Sequence, residues 1–179
     1  MNFLIKQAIT NALNNYKKMK NLFLSISLLS VLSINAQSSE FINCIIQNDC
    51  VNTDTVYQKL IQNGKFVLKD IYFTNNSKYI IDVSYQKIDT LVTCLKQNET
   101  IKVLIIAHTD SDGTEQYNMR VSDKRANVIM KALIDKGISP DRLKAEGCGE
   151  SQPLVSENTP QDKAINRRIE IEIVDEFSD

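Results

Sequence analysis

The sequence predicts an α/β (α+β) sandwich, with two helices packed on one side of a small mixed four-stranded sheet in the order βαβαββ. Three observations predict it. Apolar residues recur at helical spacing in two separate windows, a nearly continuous apolar run lies between those windows, and the C-terminal segment RIEIEIV alternates strictly over Ile169, Ile171 and Ile173. At 179 residues, 42% hydrophobic and 24% charged, the chain has room for one core plus appendages.

The first 36 residues differ from the rest. They contain no Asp or Glu, carry Lys6, Lys17, Lys18 and Lys20, and end in the apolar run LFLSISLLSVLSI from Leu22 to Ile34. That pattern reads as a secretory signal peptide over residues 1–36, cleaved after Ala36, with Met19 as a candidate true start. The run is shorter than the roughly 18 residues that span a bilayer. An uncleaved membrane anchor is the alternative reading. Residues 37–63 are polar and Asn-rich and read as an N-terminal arm or linker, with VYQKLIQ able to form a turn or two of helix.

The domain proper is expected over residues 64–179. KFVLKDIYF, after Gly64, is rich in β-formers and ends in the turn signal TNNS. From Asp82 to Gln97 the residues Ile88, Leu91, Val92 and Leu95 mark one helix face, with Asp82 or Ser84 as cap. IKVLIIA then reads as a strand covered on nearly both faces. A second helical stripe comprises Val121, Val128, Ile129, Ala132 and Leu133, and Gly137 and Pro140 stop it. Leu143 to Gly147 is a short strand, the residues to about Asp162 form a long loop, and the final strand has one wet face. The first strands are expected to pair through right-handed crossovers.

Charge and cysteines narrow the function classes. Four of the 21 basic residues precede Gln37, so the exported chain keeps 17 against 22 acidic ones, a net charge of −5. That speaks against nucleic acid or an anionic membrane surface as the main partner. All four cysteines, Cys44, Cys50, Cys94 and Cys148, survive cleavage and meet an oxidising compartment. Cys44 and Cys50, close in sequence, are the best candidates for a local disulfide. Cys94 and Cys148 read equally as buried thiols or bridge partners.

The chemistry concentrates in AHTDSDGTEQYNMRVSDKRA, where a strand end supplies Asp110 and a helix supplies Arg125. A calcium loop needs glycine at position 6 and glutamate at position 12. Counted from Asp110, glycine falls at position 4 and Val121 at position 12, so calcium does not fit. His108 is the sole histidine, which leaves zinc and His-dependent nucleophiles without a ligand set. No phosphate-binding glycine loop is present, and neither metal nor cofactor is expected. Spacing alone leaves Asp110 as an Asx-turn or capping acid and Arg125 as a solvated helix residue.

The ordered motifs AHTDSDG, YN, VSDKRA, KGI, GCGE and NRRIEI, over about Gly64 to Val174, resemble the C-terminal domain of the outer membrane protein A (OmpA) family, shared with peptidoglycan-associated lipoprotein and the flagellar stator protein MotB. The chain departs from that pattern at Ala107, Val121 and Asp162 to Lys163. The resemblance implies an OmpA-like fold and noncovalent binding of peptidoglycan through the diaminopimelate of its stem peptide, with no enzymatic activity. It implies that Asp110 and Arg125 grip the free end of diaminopimelate. By matching position, Asn75, Asp112, Asn118 and Arg168 are secondary binding or supporting candidates, and sequence does not separate Arg167 from Arg168. The implied location is the periplasm, at the cell wall and the outer membrane, with an outer-membrane or other envelope protein, and self-association, as further candidate contacts. Two rivals stand beside this: an adaptor whose arm docks a partner, and a wall hydrolase using Asp110 with Glu115 or Glu146.

Overall fold

The computed structural model describes residues 36–52, 65–68, 70–74 and 79–177. The expected signal peptide except for its last residue, Ala36, the VYQKLIQ segment and Asn75 lie outside the described residues. The elements are α1 (Ala36–Gln47), β1 (Val51–Asn52), β2 (Lys65–Leu68), α2 (Tyr85–Gln97), β3 (Lys102–Ala107), α3 (Glu115–Asp135), β4 (Leu143–Gly147), α4 (Pro160–Asn166) and β5 (Ile169–Val174). The sheet order is β1-β2-β5-β3-β4. This is the expected α+β sandwich: β2, β5, β3 and β4 form its four-stranded sheet, and the two-residue β1 adds to one edge.

One topological expectation is corrected. β2 and β3 do not pair, because β5 inserts between them and runs antiparallel to both. β3 pairs in parallel with β4 across the α3 connection, from Val103 opposite Leu143 to Ala107 opposite Gly147. The last strand therefore stitches the two halves together. Its register puts Ile169 beside Ala107 and Val174 beside Lys102.

Local chemistry explains most boundaries. β2 stops short of the predicted Phe73 because Asp70 adopts a left-handed φ of 55°, a turn conformation that Asp tolerates. The chain resumes as a hairpin through the bridge Phe73 to Ile80. Ser84 stands at the α2 N-cap, yet its side chain makes no capping bond and accepts from the Tyr72 N–H at 2.8 Å instead. At the other end of α2, Arg142 donates to the carbonyls of Leu95, Asn98 and Ile101, satisfying acceptors that the helix end leaves open.

The first half of the long loop expected before Asp162 is irregular, but its end is α4. Thr159 caps this short helix, Pro160 occupies the first turn, and Asp162 completes a capping box by bonding back to the Thr159 N–H at 2.8 Å. The N-terminal arm also differs from expectation. Residues 36–47 form a helix whose Phe41, Ile42, Ile45 and Ile46 are buried in the common core with Ile88, Leu91 and Leu95 of α2. These apolar residues line one side of an otherwise polar helix.

The disulfide joins Cys44 to Cys94 and leaves Cys50 and Cys148 as buried free thiols, which corrects the expected Cys44–Cys50 pair. The chain turns sharply at Asp49, with φ of 52°, and directs Cys50 toward the Lys87 carbonyl. Burial pushes the Cys50 thiol up to about 12 and the Cys148 thiol up to about 11, so neither supplies a reactive thiolate near neutral pH.

Candidate functional site

The site lies at the C-terminal end of β3. There the chain leaves the sheet through His108 and Thr109, whose backbone N–H groups donate to Arg168 O at 3.0 Å and Gly149 O at 2.9 Å. Those bonds fix the start of the loop that carries Asp110. Asp110 closes an Asx-turn by accepting from the Asp112 N–H at 3.3 Å. Gly113, with φ of 111°, then allows the turn into α3, which Thr114 caps by accepting from the Tyr117 N–H.

Three charges gather around this loop. The Asp110 carboxylate accepts from Arg167 Nη1 at 2.5 Å; the acid side chain is only 10% exposed, the arginine 44%. Arg125, in the middle of α3, is half-buried with its guanidinium 5.5 Å from the centre of the Phe73 ring. Burial pulls the Arg125 pKa below its usual value, Asp110 opposes that fall, and Arg167 adds to it. Asp110 and the two guanidinium groups that act on it together carry one net positive charge. Such a group can receive a ligand that brings both a cation and an anion.

The secondary candidates divide by position. Asn118 is buried and donates to the Asp110 carbonyl at 3.2 Å and to Glu150, tying α3 to both loops of the site from below. Asp112 is exposed and ion-paired with Lys163. Lys163 is among the positions at which the chain departs from the family pattern, and it ties α4 to the Asp110 loop. Ser111 donates from its N–H and hydroxyl to Glu157, which also accepts from Asn166 at 2.8 Å, so α4 is tied to the loop twice. Glu115 is exposed in the first turn of α3, and Glu146 is exposed on β4, where it accepts from the Cys148 thiol.

The two adjacent arginines, which sequence leaves unresolved, point to different places. Arg167 faces Asp110, whereas Arg168 is buried and donates to Glu170 at 2.7 Å and to the carbonyls of Asn166 and Gln152. Arg168 serves the interior. Glu170, expected on the wet face of β5, is 1% exposed and shared by Arg168 and His108, whose Nε2 lies 3.2 Å away but off the line of a good hydrogen bond. Replacing Arg168 by methionine should strand the Glu170 charge and cost about 3 to 5 kcal/mol in denaturant unfolding. Arg167→Met, at a half-exposed position, should leave that stability within about 1 kcal/mol.

The same cluster sets an acid limit for the fold. Burial lowers the His108 pKa against the pull of Glu170, with Arg168 and Lys65 lowering it further. For Glu170, burial acts to raise the pKa, but His108 and Arg168 outweigh it and hold the group below the ordinary value. Both depressed values mean that the unfolded chain binds protons the folded chain refuses. Stability is therefore full above about pH 6.5, declines as pH falls through the His108 range, and declines further below about 4.5. Unfolding midpoints measured from pH 8 to 5 should fall in the wild type and fall less steeply in His108→Gln.

A protein-family model described as the OmpA family matches residues 72–167. The chain belongs to the OmpA family. Within it, the chain is similar to the peptidoglycan-associated lipoprotein of Pseudomonas putida, 32% identical over 121 residues that make up 67% of this chain and 72% of that protein. It is also similar to outer membrane porin F of Pseudomonas aeruginosa, 35% identical over 105 residues, 58% of this chain and 30% of the porin. The chain thus spans under a third of that porin's length. A crystal structure of the peptidoglycan-associated lipoprotein from Burkholderia pseudomallei superposes with a TM-score of 0.54 at 26% identity, over 58% of this chain and 88% of that one. The OmpA-family match begins at Tyr72, so α1, β1 and Cys44 precede it. Among the described residues, no helix is long and apolar enough to cross a membrane.

Proposed function

We propose that this OmpA-family domain binds peptidoglycan without covalent attachment and grips the free end of diaminopimelate in the stem peptide. The reading is supported by the buried Asp110 carboxylate, which is ion-paired with Arg167 and acts electrostatically on Arg125. The free end of diaminopimelate is a zwitterion, an ammonium and a carboxylate on one carbon. Its ammonium would meet Asp110 and its carboxylate Arg125, with Arg167 steadying the acid and adding to the field on the anion. Lysine, which lacks that carboxylate, would leave Arg125 without its anion, and this supplies discrimination between wall types. Relatives named as peptidoglycan-associated lipoproteins support the wall as ligand.

Asn118 and Asp112 act in this reading as supports, the first under the Asp110 loop and the second on α4 through Lys163. Asn75 is retained as a candidate contact by its matching position in the family pattern. Two charge-assisted contacts of about 1.5 to 3 kcal/mol each correspond, before ordering costs, to millimolar affinity or somewhat better. Firm retention then needs further hydrogen bonds or avidity against a wall with many identical stems. The setting that fits is the periplasm, reached by the signal peptide read in residues 1–36, beside the outer membrane and with an envelope protein as a further partner. The chemistry asked of the site is binding, not bond cleavage. Co-sedimentation with purified sacculi tests this: the protein should pellet with diaminopimelate-type walls and stay in solution with lysine-type walls, and release of soluble muropeptides would point to the hydrolase instead.

A further inference from the structure

The N-terminal helix runs in a defined direction along the domain. Cys44 is bonded to Cys94 and lies 3.5 Å from Gln97 Oε1 at the C-terminal end of α2. Six residues later, the Cys50 thiol donates to the Lys87 carbonyl, and Lys87 Nζ donates to the Asp49 carbonyl at 2.6 Å, both in the first turn of α2. α1 and its following turn are therefore antiparallel to α2. At 1.5 Å per residue, Ala36 lies about 12 Å before Cys44, whereas α2 continues only three residues past Cys94. The start of α1 thus projects beyond the C-terminal end of α2.

That end is the pole away from the site. α2 leads directly into Ile101 and the N-terminal end of β3, and the strand must run its length, about 20 Å, before the chain reaches Asp110. Arg142 closes the far pole by bonding to Leu95, Asn98 and Ile101. The N-terminal end of α1 consequently lies at one pole of the domain, and the charged clamp sits at the other. The first covalent tie along this path is the Cys44–Cys94 bond, which enters the core through a buried cysteine of α2.

We infer that α1 is a disulfide-stapled strut, which delivers tension applied at the N-terminal side of the domain into α2 and across the sheet to the clamp. Its use in holding a wall rests on the proposed function, but the force path does not. Without the bond, α1 is held mainly by the packing of Phe41, Ile42, Ile45 and Ile46, contacts that a pull from its N-terminal end would open one turn at a time. With the bond, peeling stops at Cys44. The freed chain is then at most about 27 Å, against about 55 Å when α1 and β1 are lost through Asn52.

Single-molecule pulling tests this on the exported chain, from Gln37 onward, held by its N-terminus and by a bio-orthogonal handle at Asn158, an exposed loop residue near the clamp. The oxidised protein should show no early step longer than the shorter length before the domain unfolds. The same molecules after reduction, and Cys44→Ser/Cys94→Ser with its circular dichroism unchanged, should show the longer step at lower force. Equal traces in oxidised and reduced protein overturn the strut. Because both handles are attached to the protein, failure to bind walls would refute the proposed function and leave this result standing.

Discussion

Asp110→Ala is expected to reduce binding to diaminopimelate-type walls by about 10- to 150-fold. On the proposed reading the variant removes the carboxylate that meets the ligand ammonium, a charge-assisted contact of about 1.5 to 3 kcal/mol. It also removes the acceptor of Arg167 Nη1 and the Asx-turn bond to Asp112, so the loop loses its shape as well as its charge. Asp110→Asn separates the two effects, because the amide oxygen can still close the turn. If charge is what the ligand needs, asparagine should bind nearly as poorly as alanine. Arg125→Ala should lose a similar amount through the ligand carboxylate, and Arg167→Ala less, since that group acts on the ligand in part through Asp110. All three should remain folded, because none of these side chains belongs to the apolar core.

Loss of the Cys44–Cys94 bond is expected to give one of the largest changes in stability. The bond closes a loop with a sequence separation of 50 residues. In the chain-entropy model, releasing such a loop in the unfolded state costs about 4 kcal/mol, and removal of native disulfides from small exported domains costs about 2 to 5. Cys44→Ser/Cys94→Ser should accordingly unfold at a markedly lower denaturant concentration than the oxidised wild type, and reduction of the wild type should reproduce the shift. Clamp affinity should be unchanged, because the bond lies at the opposite pole. A double variant as stable as the oxidised protein would show that α1 is held by apolar contacts alone.

Much of this arrangement is legible in the residues. Periodicity located α2, β3, α3 and β5 because each buries one face and the pattern records it. The edge of legibility falls where polar residues are buried. Asn118 and Ser122 belong to the buried ridge of α3 with Ala126, Ile129 and Leu133, yet a hydrophobic pattern passes over them. Glu170 occupies what alternation marks as a wet position, and its partners Arg168, His108 and Lys65 make burial tolerable. Those contacts depend on tertiary placement.

Other misses had signals of their own. The spacing of Phe41, Ile42, Ile45 and Ile46 is helical, and it was diluted by the polar residues around it. Thr159, Pro160 and Asp162 form a readable helix start ahead of a segment too short to show a period. The disulfide is different in kind, because nearness in sequence favoured Cys50, whereas the turn at Asp49 carries it away from Cys44. The adjacent arginines could not be assigned from sequence because the strand start turns successive side chains to opposite sides, Arg167 toward the site and Arg168 toward the interior.

The central claim is that Asp110 and Arg125 together hold a single zwitterion. Calorimetric titration of the wild-type protein with a stem peptide containing meso-diaminopimelate, and separately with the same peptide carrying lysine at that position, tests it most directly. The account predicts saturable binding of the diaminopimelate peptide at millimolar concentration or below, lost in both Asp110→Asn and Arg125→Ala, and at least tenfold weaker binding of the lysine peptide. Equal affinity for the two peptides, or wild-type affinity in either variant, would contradict it.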